Sequence, residues 1–397
     1  RRSALWAAGL GLLLAAGAAG GYAWSGPDAE ASARPGTPGA PTPRGTAAGK
    51  PFTPWSVPLG GRTASCSAAA GGLYCSGRGL AAARLDPADG SVVWAVRTAA
   101  PAPDAVTDST PLHAAGAVLA VAPGSELLQA LDPGTGAERW RRGLPGGARV
   151  VTAGPYVLTV APDGAVTALD AASGAQRWTK RIGGAGSVWW GGPGGSGAPV
   201  LYAATPDGAG ATTLLAEVDP ATGAVVRQTR AAGRLRPVGV AGGSVYLLDN
   251  EAGVRTSAVV RVDAASLAVH RVRLSAPLFE AEAAVAPDGT VYAVESRGGL
   301  VAVGPEGERW RLETGAGAAS RPVAADGRVH LSAQDGRLLT VDAAAGRLTG
   351  QTGPRTGPGQ GAFSATLPAP VAADGRVYAS APDGSVFAVA AVNPAGD

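Results

Sequence analysis

The stretch Leu169–Trp178, LDAASGAQRW, constrains this chain more than any other. It reads as the end of one strand, a tight turn and the start of the next. Asp170 can accept from backbone N–H groups two residues on, Gly174 supplies a positive φ, and Trp178 offers a large apolar surface. The pattern returns as LDPADGSVVW (Leu85–Trp94) and LDPGTGAERW (Leu131–Trp140). Weaker copies follow at Val218–Arg227, Val262–Arg271, Val303–Trp310 and Val341–Gly350, and a truncated one at Phe387–Ala390. Equivalent positions are 38 to 49 residues apart, with a mean of about 43. A period of this size filled with strands and turns predicts a β-propeller, one blade per repeat.

Each full repeat reads as four antiparallel strands. In one of them, Arg321–Ala325 is the innermost strand, Asp326-Gly327 a two-residue hairpin turn, and Arg328–Ala333 the second strand. Asp335-Gly336 turns again, Arg337–Val341 is the third strand, and an outermost strand follows. Asp-Gly turns recur at Asp163, Asp288, Asp374 and Asp383. The ends set the blade number. Trp55–Leu59 reads as an outer strand with no inner strands before it, and the last repeat has inner strands but no outer one. Joined, they complete a blade and leave no open edge in the ring. Outer strands then start near Trp55, Trp94, Trp140, Trp178, Arg227, Arg271, Trp310 and Gly350. The predicted fold is all-β, an eight-bladed propeller of four-stranded antiparallel blades over residues 54–397.

Before it, Ala4–Trp24 holds no charged residue and is long enough to span a bilayer as a helix. Arg1 and Arg2 precede it, and Asp28 and Glu30 follow. The expected arrangement is a single transmembrane anchor over residues 1–24 with the propeller outside the cytoplasm, in the cell membrane. A cleaved signal peptide is the alternative. Gly17 and Gly21 form a small-xxx-small pair, which supports helix association or merely reflects composition. Residues 25–53, rich in Pro, Gly and Ala, cannot bury enough apolar surface to fold and form a disordered linker.

The 61 glycines and 32 prolines suit a turn-rich β protein. A net charge of +3 on scattered arginines gives no basic stripe, so nucleic acid is not an expected partner. Cys66 and Cys75 flank Ala70-Gly71; a turn there sets the two sulfurs opposite each other on adjacent strands, as a disulfide. His113, His270 and His330 fall in different repeats with no metal or triad spacing, and His330 replaces the Tyr of its hairpin. The expectation is neither catalytic residues nor a metal site.

The unit [LV]-D-x-x-[ST]-G-x-x-x-W, with hairpins such as Gly375–Ala379 and Asp383–Ala388, is similar to the quinoprotein-like (PQQ-like) repeat from about Pro54 to Asp397. That family includes alcohol dehydrogenases, outer-membrane assembly lipoproteins and bacterial sensor domains. The resemblance implies that Trp94, Trp140, Trp178 and Trp310 dock on the neighbouring blade and seal the ring. The quinone-dependent members carry adjacent cysteines and a calcium beside a catalytic Asp; no Cys-Cys occurs here, so no cofactor is expected. The order of anchor, linker and propeller resembles the extracytoplasmic half of actinobacterial membrane serine/threonine kinases. This chain carries no kinase motif, and is read as a non-enzymatic sensor or binding module. An envelope interaction scaffold is the alternative, and a quinone-dependent dehydrogenase the third reading.

The mouth of the central funnel is the default ligand site of such a ring. Asp108, His113, Arg149, Trp189, Trp190, Arg234, Arg236, Glu280, Glu282 and Arg321 fall where innermost strands begin. Trp189-Trp190 matches no repeat position, and a glycine-rich loop (191–197) follows. An aromatic face beside arginines suits a sugar, a peptidoglycan fragment or a peptide; alternatively the charges pair with one another across the channel.

Overall fold

The computed structural model describes residues 52–59, 65–99, 109–122, 124–194, 197–251, 253–357 and 367–394. The expected anchor, residues 25–51 of the expected linker, and Asp108 lie outside them. Among the described residues no helix is long and apolar enough to cross a membrane.

These residues form eight four-stranded antiparallel sheets, each in simple sequential order except the last. Blades 1 to 7 occupy residues 65–97, 112–143, 149–181, 188–232, 235–279, 282–313 and 323–351. Blade 8 is built from Val371–Ala373, Arg376–Ser380 and Ser385–Ala390, with Trp55–Pro58 as its outer strand. In that closure Trp55 lies opposite Ala388 and Pro58 opposite Ser385. Hydrogen bonds between the two ends of the chain thus lock the ring and remove a free edge.

The repeat dictates the local geometry. Short hairpin turns join the first two strands of a blade, with Ala70-Gly71, Asp326-Gly327 and Asp374-Gly375 all at positive φ. Such turns match the right-handed strand twist. The innermost strand of blade 7 starts at Val323 rather than Arg321. Pro322 has no N–H to give, and the preceding residues hold on through Ser320 N–H to the Ser332 carbonyl and an Ala319–Ala333 bridge. Alternate side chains of each sheet face the two neighbouring blades, so the core is a series of apolar layers between blades. Leu73, Leu85 and Tyr378 fill the layer between blades 8 and 1. Leu338, Val377 and Phe387 fill the one between blades 7 and 8.

The two ends of the ring differ. At one end the innermost strands begin. At the other lie the turns between first and second strands, the Asp turns between third and outer strands, and both ends of the described chain: the Arg376 guanidinium sits 4.6 Å over the Phe52 ring, and Pro394 packs beside Gly350.

Candidate functional site

The Asp-turn end is stitched by one repeated contact. The indole Nε1 of Trp94 donates to the Pro133 carbonyl at 3.0 Å, Trp140 to Ala171 at 2.9 Å, Trp178 to Pro220 at 3.0 Å and Trp310 to Ala343 at 3.0 Å. Each acceptor is the residue after the Asp of the next blade's turn. Trp55 makes the same bond to Pro87 at 3.2 Å, which closes the ring on blade 1. Each indole also lies against the turn glycine of that next blade. A Cβ on Gly90, Gly136, Gly174, Gly223 or Gly346 would stand 2.4 to 2.9 Å from it, and every one of these glycines has positive φ. The turn glycine is therefore required twice, once by its backbone and once by its neighbour's indole.

The turn carboxylates bind their own loops. Asp170 accepts from Ala172 N–H, Ser173 N–H and the Ser173 hydroxyl. Arg177, 2.6 Å from Asp170, holds that carboxyl down at about 2, and Arg139 does the same to Asp132 at 2.7 Å. Where the indole is absent the lock is rebuilt or lost. Arg227 donates to the Ala264 carbonyl and pairs with Glu217 at 3.1 Å. His270 Nε2 donates to Pro305 at 3.0 Å. Blade 7 has Gly350 at this position and His330 opposite it across the sheet. His330 is fully buried; its Nδ1 meets the Thr340 hydroxyl at 2.9 Å and its Nε2 has no partner. Burial pushes its pKa down to about 4.

Cys66 and Cys75 lie opposite each other in blade 1 and are bonded. The staple joins the innermost strand to the second.

At the mouth end, Arg149 opens the innermost strand of blade 3, Arg236 stands second in that of blade 5, and Glu282 opens that of blade 6. Arg234, Glu280 and Arg321 lie in the connections just before innermost strands. Arg236 and Glu282 pair across blades 5 and 6 at 3.2 Å, and Arg236 also donates to the Ala281 carbonyl at 2.6 Å. Arg149, Arg234 and Arg321 are exposed, and no carboxylate pairs with them among the described residues. They remain available to an anionic group.

Two expectations are corrected here. His113 is packed between blades: its Nε2 lies 2.8 Å from the Ser67 hydroxyl and its ring 5.1 Å from that of Tyr74, and burial lowers its pKa. Trp189 and Trp190 occupy regular positions of an innermost strand, opposite Ala203 and Tyr202. Strand alternation sends one indole to the layer of blades 3 and 4 and the other to that of blades 4 and 5. Beyond the strand, Gly194 N–H donates to the Ala198 carbonyl and Gly197 N–H to that of Gly194, at the opposite end of the ring. Gly191 is needed because a Cβ there would stand 2.3 Å from the Thr152 carbonyl. The sequence showed the aromatic pair; it did not show which way each ring turned.

The residues present do not fit a calcium-held quinone. The two cysteines are bonded across a hairpin rather than adjacent, and no group of three or more His, Cys, Asp or Glu side chains converges among the described residues.

The fold and its repeated lock define the class: an eight-bladed propeller of quinoprotein-like repeats. A family model described as outer membrane protein assembly factor BamB matches residues 77–229, 162–270 and 241–395, and the chain belongs to that family, PQQ_2. No curated protein sequence matches it. Among solved structures, BamB from Moraxella catarrhalis superposes with a TM-score of 0.59 at 18% identity, over 84% of this chain and 95% of that one. The computationally designed Ika8 protein gives 0.61 at 12% identity, over 84% and 98%. Quinohemoprotein alcohol dehydrogenase from Comamonas testosteroni gives 0.57 at 15% identity, over 86% and 76%. At these identities the likeness is one of fold.

Proposed function

We propose that this chain is an extracytoplasmic protein-binding propeller that engages its partner at the mouth end, as the sensor region of a membrane serine/threonine kinase whose catalytic domain lies outside this chain. One observation carries the mouth as the working end: Arg149, Arg234 and Arg321 stand there exposed and, among the described residues, without carboxylate partners, while the other end is stitched by indoles and receives both ends of the described chain. Exposed guanidinium groups on a rigid ring suit carboxylate groups of a partner surface. The sensor role rests on the order of apolar segment, Pro-rich linker and propeller in the sequence. Membership of a family described by an outer membrane assembly factor favours the second reading, an envelope scaffold that holds other proteins.

Intact mass and phosphotransfer of the native protein, taken from membranes of its own organism, separate the two. A product much larger than 38.8 kDa that phosphorylates serine or threonine is the expected result. A mature product that begins after Trp24 and transfers no phosphate contradicts the sensor role and leaves the scaffold.

A further inference from the structure

Outer strands expose one row of backbone N–H and C=O groups, so proteins guard them with charge, proline or shortness. Seven blades of this ring do so. The outer strands of blades 2 to 6 each carry two or more cationic or histidine side chains, as in Glu138–Gly143 (ERWRRG) and Gln176–Arg181 (QRWTKR). That of blade 7 has four residues, and that of blade 8 has four and ends in Pro58. Blade 1 is the exception. Its outer strand Val92–Arg97 (VVWAVR) is six residues long, its only charge is Arg97, and Val92 and Val93 are 51% and 50% exposed.

The repeat shows what has been removed. Seven residues after the turn Asp, blades 2 and 3 place Arg139 and Arg177, which bind that Asp. Blade 1 places Val93 there. The Asp86 side chain accepts from the Ala88 N–H and the Asp89 side chain from Ser91, and among the described residues neither pairs with an arginine. At the far end of the strand Arg97 is exposed and has no acidic partner among the described residues. The strand is therefore apolar where it begins and basic where it ends, and the turn just before it is acidic.

Such an edge is its own complement. Laid antiparallel on a second copy about Val93, it sets Val93 against Val93, Val92 against Trp94, and Asp89 towards Arg97 twice, once on each side of the twofold axis. We propose that the outer edge of blade 1 is an isologous docking strand for a second copy of this chain, joining two blades into one continuous eight-stranded sheet. The disulfide lies in the same blade and stiffens the sheet that presents the edge. The interface is small and gains from any tether that raises the local concentration of the chain.

Sedimentation velocity of the full chain in non-ionic detergent, at rising protein concentration, tests this. Wild type is expected to pass from monomer to dimer. Val93→Lys sets two ammonium groups against each other, and Asp89→Arg or Arg97→Asp sets like charges at both ends; each is expected to weaken association roughly tenfold or more. The double variant Asp89→Arg with Arg97→Asp restores the dimer, and Val226→Lys on the outer strand of blade 4 leaves it unchanged. A Val93→Cys chain is expected to form a disulfide-linked dimer on mild oxidation. All these positions are exposed, and an unchanged thermal melt confirms folding. A chain that stays monomeric throughout overturns the proposal. So does a dimer indifferent to Val93→Lys and to the charge exchange. A dimer that forms normally while the mouth arginines prove idle separates this inference from the partner-binding one.

Discussion

The two ends of this ring are built on different rules. At the Asp-turn end one solution is repeated: an indole donates to the carbonyl after the next blade's turn Asp, and a glycine makes room; Arg227 and His270 keep the donated bond, to Ala264 and Pro305, without that glycine. At the mouth end the repeated contact stays within one blade: in the turns between second and third strands, Asp163, Asp335 and Asp383 each accept from the N–H two residues on. Arg236 pairs with Glu282, while Arg149, Arg234 and Arg321 are left without carboxylates among the described residues. A repeated contact made between blades answers to stability. Irregular exposed charge on the same scaffold adds little to folding, and on the proposed reading it serves recognition. In that reading stability and function are held at opposite ends of the same strands.

The largest expected effect lies in the lock. Trp178→Ala empties a buried indole site and removes its bond to Pro220, and is expected to cost about 3–5 kcal/mol in chemical denaturation. Arg227→Ala, at the equivalent place in blade 4, should cost clearly less, about 1 kcal/mol. Equal losses would break the claim that the indole is the lock. Removing the blade 1 staple with Cys66→Ser and Cys75→Ser is expected to cost about 2–3 kcal/mol, the value for a short closed loop. Gly174→Ala meets both positive φ and the Trp140 ring, with about 1–3 kcal/mol lost; in a Trp140→Ala background the penalty should shrink.

Blade 7, where the lock is missing, sharpens the comparison through pH. His330 stays neutral in the folded ring down to about 4, whereas the unfolded chain binds that proton near 6.5. Proton binding by this group therefore takes nothing from stability above pH 6.5. Stability falls as pH drops from 6.5 towards 4, by about 1–3 kcal/mol from this group, and the contribution is flat below. His330→Gln should flatten that part of the stability profile. The smallest expected change in stability is at the mouth: Arg149→Ala with Arg321→Ala should stay within about 0.5 kcal/mol of wild type.

Much of the fold was legible because the repeat prints it. Asp, Gly and Trp at fixed offsets gave the turn, the outer strand and the period, and the unmatched ends at Trp55 and Ala390 gave the closure and the eighth blade. Gly174 announced a positive φ; that it also clears the indole of Trp140 was not readable, because that contact is between repeats. The role of Trp55 was hidden for the same reason, since its partner Pro87 is distant in sequence terms only by the register of the closing blade. Trp189 and Trp190 misled because consecutive strand residues face opposite sides, and side follows from register, which their irregular repeat obscured. His113 was placed at the mouth by its position in the chain and moved between blades by the Ser67 and Tyr74 side chains. Asp108, the anchor and residues 25–51 of the linker lie outside the described residues.

The most direct test of the account places a photo-crosslinking residue at Arg321, on the mouth, and in a second chain at Asp326, on the stitched end, and irradiates each in native membranes. The account predicts a defined protein adduct at 321 that is lost when Arg149 and Arg234 are replaced by alanine, and none at 326. An adduct confined to 326, or one at 321 indifferent to those arginines, would contradict it.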